Sequence, residues 1–227
     1  MRRDYIIRMI EEFARALARI RSLKKGDLWQ EAAGSLDAEF QRLVGSGPEG
    51  VAKMSETELL GRIVQGEATQ AVREKTLIVT TLLREAGDIA TAQDRIEEGR
   101  ACYVKGLHLL LETLARGDVF ECPEFVPKVE EFLAALQDAP LPLEMQGRLM
   151  EHYERAGDFG KAEDMLFAML AAEPGNRVIV EFGISFYERL AAHSDAVLSE
   201  GNLPRAELES GLAELRKAEQ GFKTLLA

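Results

Sequence analysis

Apolar residues recur at three- and four-residue intervals along almost the whole chain, and no two β-rich runs lie near enough in sequence to pair as strands. That pattern commits the polypeptide to helices that hide one side against a neighbour. From Asp4 to Leu23 the apolar positions are Ile6, Met9, Ile10, Phe13, Leu17, Ile20 and Leu23, a single helical face. Lys24-Lys25-Gly26-Asp27 then supplies a basic last turn, a terminating glycine and an acceptor for the next cap, so a second helix is expected up to about Val44. The stretch Gly45 to Gly50 is the strongest breaker in the chain and reads as a loop. Ser55 and Glu58 form a capping-box pair ahead of Leu59, Leu60, Ile63 and Val64, which predicts a third helix ending near Gly66.

The segment Thr76-Leu77-Ile78-Val79-Thr80-Thr81 is the best strand candidate, because β-branched side chains suit a pleated surface. It reads nonetheless as the middle of a helix from about Ala68 to Ala86, since strong helix formers flank it and no partner strand stands nearby. Beyond Gly87 the spacing predicts a helix to about Arg116, one from Pro123 to Leu136, and a hairpin from Leu143 to Ala172. Two long helices close the chain, Asn176 to Leu198 and Pro204 to Leu226, the last capped by Asn202 or Leu203. About ten helices result. The break near Gly66 suggests an N-terminal helical segment, 1–66, followed by a helical array, 67–227, although one continuous domain would also accommodate both.

Charge narrows the function classes. The net charge of −11 disfavours general nucleic-acid binding, which needs clustered Lys and Arg to neutralise phosphates. Residues 1–25 carry eight Lys or Arg against three Asp or Glu, a net of +5, so the remainder carries −16. No apolar run approaches the length of a membrane span. Two cysteines, Cys102 and Cys122, in a chain without a secretion signal point to a reducing compartment, so a cytoplasmic location is expected and both thiols read as small buried hydrophobes.

The segment Leu149 to Pro174, LMEHYERAGDFGKAEDMLFAMLAAEP, resembles a tetratricopeptide repeat. Tyr153 stands at the aromatic position of the first helix, Gly157-Asp158-Phe159 matches the inter-helix turn, and Ala162 is the small residue of the second helix. Leu166, Met169 and Pro174 complete the match. A looser copy runs from Leu82 through a turn at Gly87-Asp88 to Gly99, Tyr103 and Gly106, with extra residues from Ala90 to Ile96. The resemblance implies an all-α fold of stacked antiparallel hairpins, a TPR-like superhelix preceded by an N-terminal helical hairpin. The whole chain, with its opening RRDYIIRMIEEFARALARI helix, is also similar to an uncharacterised bacterial family that brings no known activity.

No motif commits the chain to a reaction. His108, His152 and His193 lie one per helix without zinc or di-iron spacing, and His108 with Glu112 reads as a surface pair. The glycines of 45–50 are followed by Val51 and Ala52, where a phosphate loop needs lysine and a hydroxyl. Adjacent pairs such as Glu97-Glu98 and Glu130-Glu131 point about 100° apart on a helix and cannot share a substrate. The aromatic residues fall mostly on apolar stripes and read as core.

The chain is therefore expected to be a non-enzymatic interaction or scaffold protein with no cofactor and no metal, and its partner a protein or peptide. On the repeat-like hairpin the inward-facing candidates are Arg148, Glu151, Glu154 and Arg155; the Lys and Asn pattern that would hold a free C-terminus is absent. A second expectation concerns the first helix, whose Ile6, Ile10, Phe13, Leu17 and Ile20 also fit a coiled-coil seam. They either pack within the chain, or join two copies in a homodimer or let the Arg-rich flank dock on an acidic partner.

Overall fold

A computed structural model of the protein describes residues 2–67, 69–116, 122–136 and 140–225. Among them are twelve helices and no strand. The chain divides into two compact units, Met1–Pro140 and Leu141–Ala227.

The first unit contains α1 (Arg2–Lys25), α2 (Trp29–Val44), α3 (Pro48–Lys53), α4 (Glu56–Val64), α5 (Thr69–Ala92), α6 (Ile96–Ala115) and α7 (Val129–Leu136). Its centre is α5, which packs on α1, α2, α4 and α6. Leu77, Ile78, Val79, Leu82 and Leu83 are fully buried, so this helix is apolar on nearly every side and the β-branched run is helical. Thr76 and Thr81 enter that interior because their hydroxyls donate to the carbonyls of Val72 (2.7 Å) and Leu77 (3.0 Å) in their own helix.

Several boundaries differ from the sequence expectation. The division falls at Pro140 rather than at residue 66, because α5 fills the space between the helices on either side of that break. The 45–50 loop is shorter than expected: Gly47 is an extended N-cap and Pro48 opens α3, its fixed φ suiting the first helical position. Helix α7 starts at Val129 and not at Pro123, since Pro127 disfavours helix at the residue before it, while Glu131 Oε1 accepts from the backbone of Lys128 at 2.9 Å.

The looser repeat copy lacks its expected turn at Gly87-Asp88. Helix α5 runs through Gly87 and Asp88 to Ala92, and the turn to α6 lies at residues 93–95, where Asp94 has φ +60°. Gly87 is a contact point, since a Cβ there would collide with the ring of Tyr103. Gly106 likewise leaves room for Phe132 and Leu83. A missing side chain permits either a left-handed turn or a close helix crossing, and here α5 and α6 use the second.

The second unit contains α8 (Leu143–Ala156), α9 (Phe159–Ala172), α10 (Arg177–Leu190), α11 (Asp195–Glu200) and α12 (Arg205–Leu225). Helices α8 and α9 form the expected antiparallel hairpin. Gly157 has φ +78°, and the backbone N–H groups of Gly157 and Asp158 donate to Glu154 (3.1 Å) and Tyr153 (2.9 Å), closing the end of α8. Ala162 is fully buried beside Leu166 and Met169.

The expected helix from Asn176 to Leu198 is instead two, broken at residues 191–194. Asn176 caps α10 through Val178 N–H (2.9 Å) and Ser194 caps α11 through Val197 N–H (3.4 Å). Asn202 is not the cap of the last helix but the left-handed residue, φ +57°, that ends α11; Leu203 N–H then bonds Leu198 O at 3.0 Å. The predicted end of the last helix at Leu226 lies outside the described residues.

Candidate functional site

Helix α8 positions the candidate groove residues one turn apart, and the structure gathers three of the four. Glu151, Glu154 and Arg155 line an open cleft together with Gly157, Arg189, His193 and Val197. Arg148 does not join them; its guanidinium turns back to Glu144 on the preceding turn, with Nη2 3.0 Å from Oε1.

Arg189 on α10 grips Glu154 with both prongs, Nε to Oε1 and Nη2 to Oε2, each at 2.7 Å. This fork geometry fixes direction as well as charge, and it links α8 to α10. The Glu154 hydrogen bond pushes the Arg189 pKa up against the opposing effect of burial, and the charges of Glu154 and Glu151 add to the rise. Arg155 is exposed and has no partner among the described residues, which leaves a free cation on the cleft wall.

The opposite wall comes from the turn between α10 and α11. Arg205 pins that turn from α12, donating to the carbonyls of Ala191 (3.3 Å) and His193 (2.5 Å) and pairing with Asp195. The imidazole of His193 stacks on Phe159, ring centroids 5.5 Å apart, and Val197 stays 39% exposed beside it. Sequence reasoning missed Arg189, His193 and Val197 because the 191–194 break was read as continuous helix. Ser194-Asp195, an N-cap residue followed by an acid in the first turn, is the signal that marks it.

In the first unit the seam residues divide. Phe13 and Ile20 are fully buried and Leu17 nearly so, within a core shared with α2 and α5, and Phe13 meets Phe125 edge-on with centroids 5.0 Å apart. Ile6 and Ile10 are half-buried. On the outward side of the same helix Arg8, Arg15 and Arg19 are exposed; the side chains of Arg2 and Arg3 lie outside the described residues.

Other expectations differ from the folded chain. His108 is buried rather than on the surface, its Nε2 3.0 Å from Glu56 Oε1 on α4. Cys102 is buried, and burial pushes its thiol up to about 12, with Glu98 adding to the rise. Cys122, by contrast, is exposed, because the segment before α7 is not helical. Among the described residues no helix is long and apolar enough to cross a membrane.

The fold and site define an all-α protein with a charged cleft between helices of its second unit. The chain belongs to a family of unknown function, DUF6483, whose model matches residues 1–220. Comparison with curated proteins and with solved structures returned no match.

Proposed function

We propose that the protein is a non-enzymatic interaction protein whose second unit presents a TPR-like groove to a protein or peptide. The observation that carries this reading is the Glu154–Arg189 fork, which ties α8 to α10, the leading helices of two packed pairs, α8 with α9 and α10 with α12. In a stacked hairpin array the leading helices line the recognition surface. The cleft offers a partner one unpaired cation at Arg155, an exposed apolar contact at Val197 and the stacked His193 face. Such a mixture of a charge and a small apolar patch suits a peptide segment better than a buried small molecule.

Affinity purification from a cell extract tests the reading when the native chain is run beside an Arg155→Glu, Val197→Asp double variant. Both positions are exposed, so the variant keeps the fold. A partner retained by the native chain and lost by the variant supports the groove. Identical recoveries, or none above background with the native chain, overturn it.

A further inference from the structure

The first unit carries a second cleft, where α1, α2 and the start of α5 meet, and its polar groups are incompletely used. Lys75 sits on its floor with a side chain only 8% exposed, and its ammonium has a single contact, Glu67 Oε1 at 3.4 Å. That same oxygen accepts from the Tyr5 hydroxyl at 2.9 Å. An ammonium has three N–H groups to satisfy, so a buried one with one long bond keeps unspent donors.

The rim repeats the pattern. Arg42 uses Nε and Nη2 on Glu39 Oε2, at 3.2 and 2.7 Å, while its Nη1 lies 3.7 Å from Glu12, beyond hydrogen-bonding reach. Arg8, exposed on α1, has no partner among the described residues. The charge of Arg42 is already met by Glu39, so Arg8 and Lys75 stand with the lining carboxylates Glu12 and Glu67, and the cleft is close to neutral while N–H groups of Arg8, Arg42 and Lys75 stay unused. Met9 and Leu43 supply an apolar wall. The free space is about 100 Å³, the room of about three water molecules.

From this arrangement we infer that the cleft binds a small organic monocarboxylate. Its two carboxylate oxygens accept from the spare N–H groups of Lys75, Arg42 Nη1 and Arg8, and a short aliphatic tail lies on Met9 and Leu43. A near-neutral cleft accepts one added negative charge at less cost than two, which selects a singly charged group over a dianion, and the small volume selects a short chain.

Thermal unfolding of the full chain titrated with sodium propionate tests the site, with sodium chloride at equal ionic strength and n-propanol as comparisons. Propionate should raise the midpoint in a concentration-dependent way beyond chloride, and propanol should not. Arg8→Ala should leave the ligand-free midpoint unchanged and require about tenfold more propionate for the same rise, the usual worth of one charge-assisted hydrogen bond. Arg19→Ala, on the same helix but outside the cleft, should respond like the native chain. Lys75→Met should abolish the rise; if that variant does not fold, the Arg8 arm decides. Equal rises with propionate and chloride, a rise with propanol, or an unchanged response in Arg8→Ala overturns the inference.

Discussion

The Tyr187 hydroxyl on α10 donates to Glu163 Oε1 on α9 at 2.5 Å, inside the second unit. The tyrosine is fully buried and the glutamate nearly so, so a polar pair sits where the helices would otherwise meet through apolar atoms alone. Gly211 on α12 makes the arrangement fit, since a Cβ there would strike the phenol oxygen. Burial raises the Glu163 pKa, the Tyr187 hydrogen bond partly opposes this, and the charges of Glu207 and Asp164 raise it further.

A raised folded-state pKa sets the sign of the pH dependence. The contribution of Glu163 is fully present below its unfolded pKa and is lost as pH rises through the folded value. Urea unfolding should therefore show the second unit less stable at neutral than at mildly acid pH, and Glu163→Gln should flatten that slope. Tyr187→Phe strips the carboxyl of its donor and should cost about 1 to 3 kcal/mol.

Glu85 gives the opposite sign in the first unit. It is buried on α5 and accepts from Arg21 Nε at 2.7 Å and Lys24 Nζ at 2.5 Å, both on α1. Burial would raise its pKa, but the bonds and charges of Lys24 and Arg21 outweigh it and hold the carboxyl below its ordinary range. This contribution is present above the unfolded pKa and is lost as pH falls through the folded one. Lys24→Met should cost about 3 to 5 kcal/mol by leaving a buried charge short of a partner. Hydrogen exchange followed separately in the two units should show the first loosening on acidification.

Two glycines should respond to alanine with opposite signs. Gly61, in the exposed part of α4, has open space around its missing Cβ, so Gly61→Ala should stabilise by about 0.5 to 1 kcal/mol through helix propensity. Gly87→Ala carries the same propensity gain yet should destabilise, because the new methyl enters the Tyr103 ring and must push α6 away from α5. Thermal midpoints of the two variants decide the matter.

Phe13→Asp distinguishes a core from a surface seam. With Phe13 at 0% exposure against Phe125, the change buries a carboxylate among hydrocarbons and should unfold the first unit or cost at least about 3 kcal/mol. Circular dichroism with light scattering reads both outcomes. A fully folded variant that merely changes mass would instead place this face between two copies.

Much of the helical layout was legible because it is local. The apolar spacing of Ile6 to Leu23 gives α1, and Ser55 gives α4, whose cap bond to Glu58 N–H is 3.2 Å long. Gly157 marks the α8–α9 turn from sequence because a terminal glycine and an acidic successor carry their conformation with them. Gly87 looked much the same in sequence and turned out to be a contact point, a difference set by Tyr103, whose ring meets it across the α5–α6 crossing.

The candidate site shows the same division. Glu151, Glu154 and Arg155 were readable as one face of α8, since helical period alone puts them there. Arg189, His193 and Val197 were not, for they reach the cleft only because Arg205 anchors the 191–194 turn and Glu154 draws Arg189 across. The order of hydrophobic and capping residues thus determined which stretches become helices, because those preferences act within a turn or two. Packing decided which helices are neighbours, where the chain divides and which charges meet, because those outcomes depend on shapes and charges brought together from distant parts of the chain.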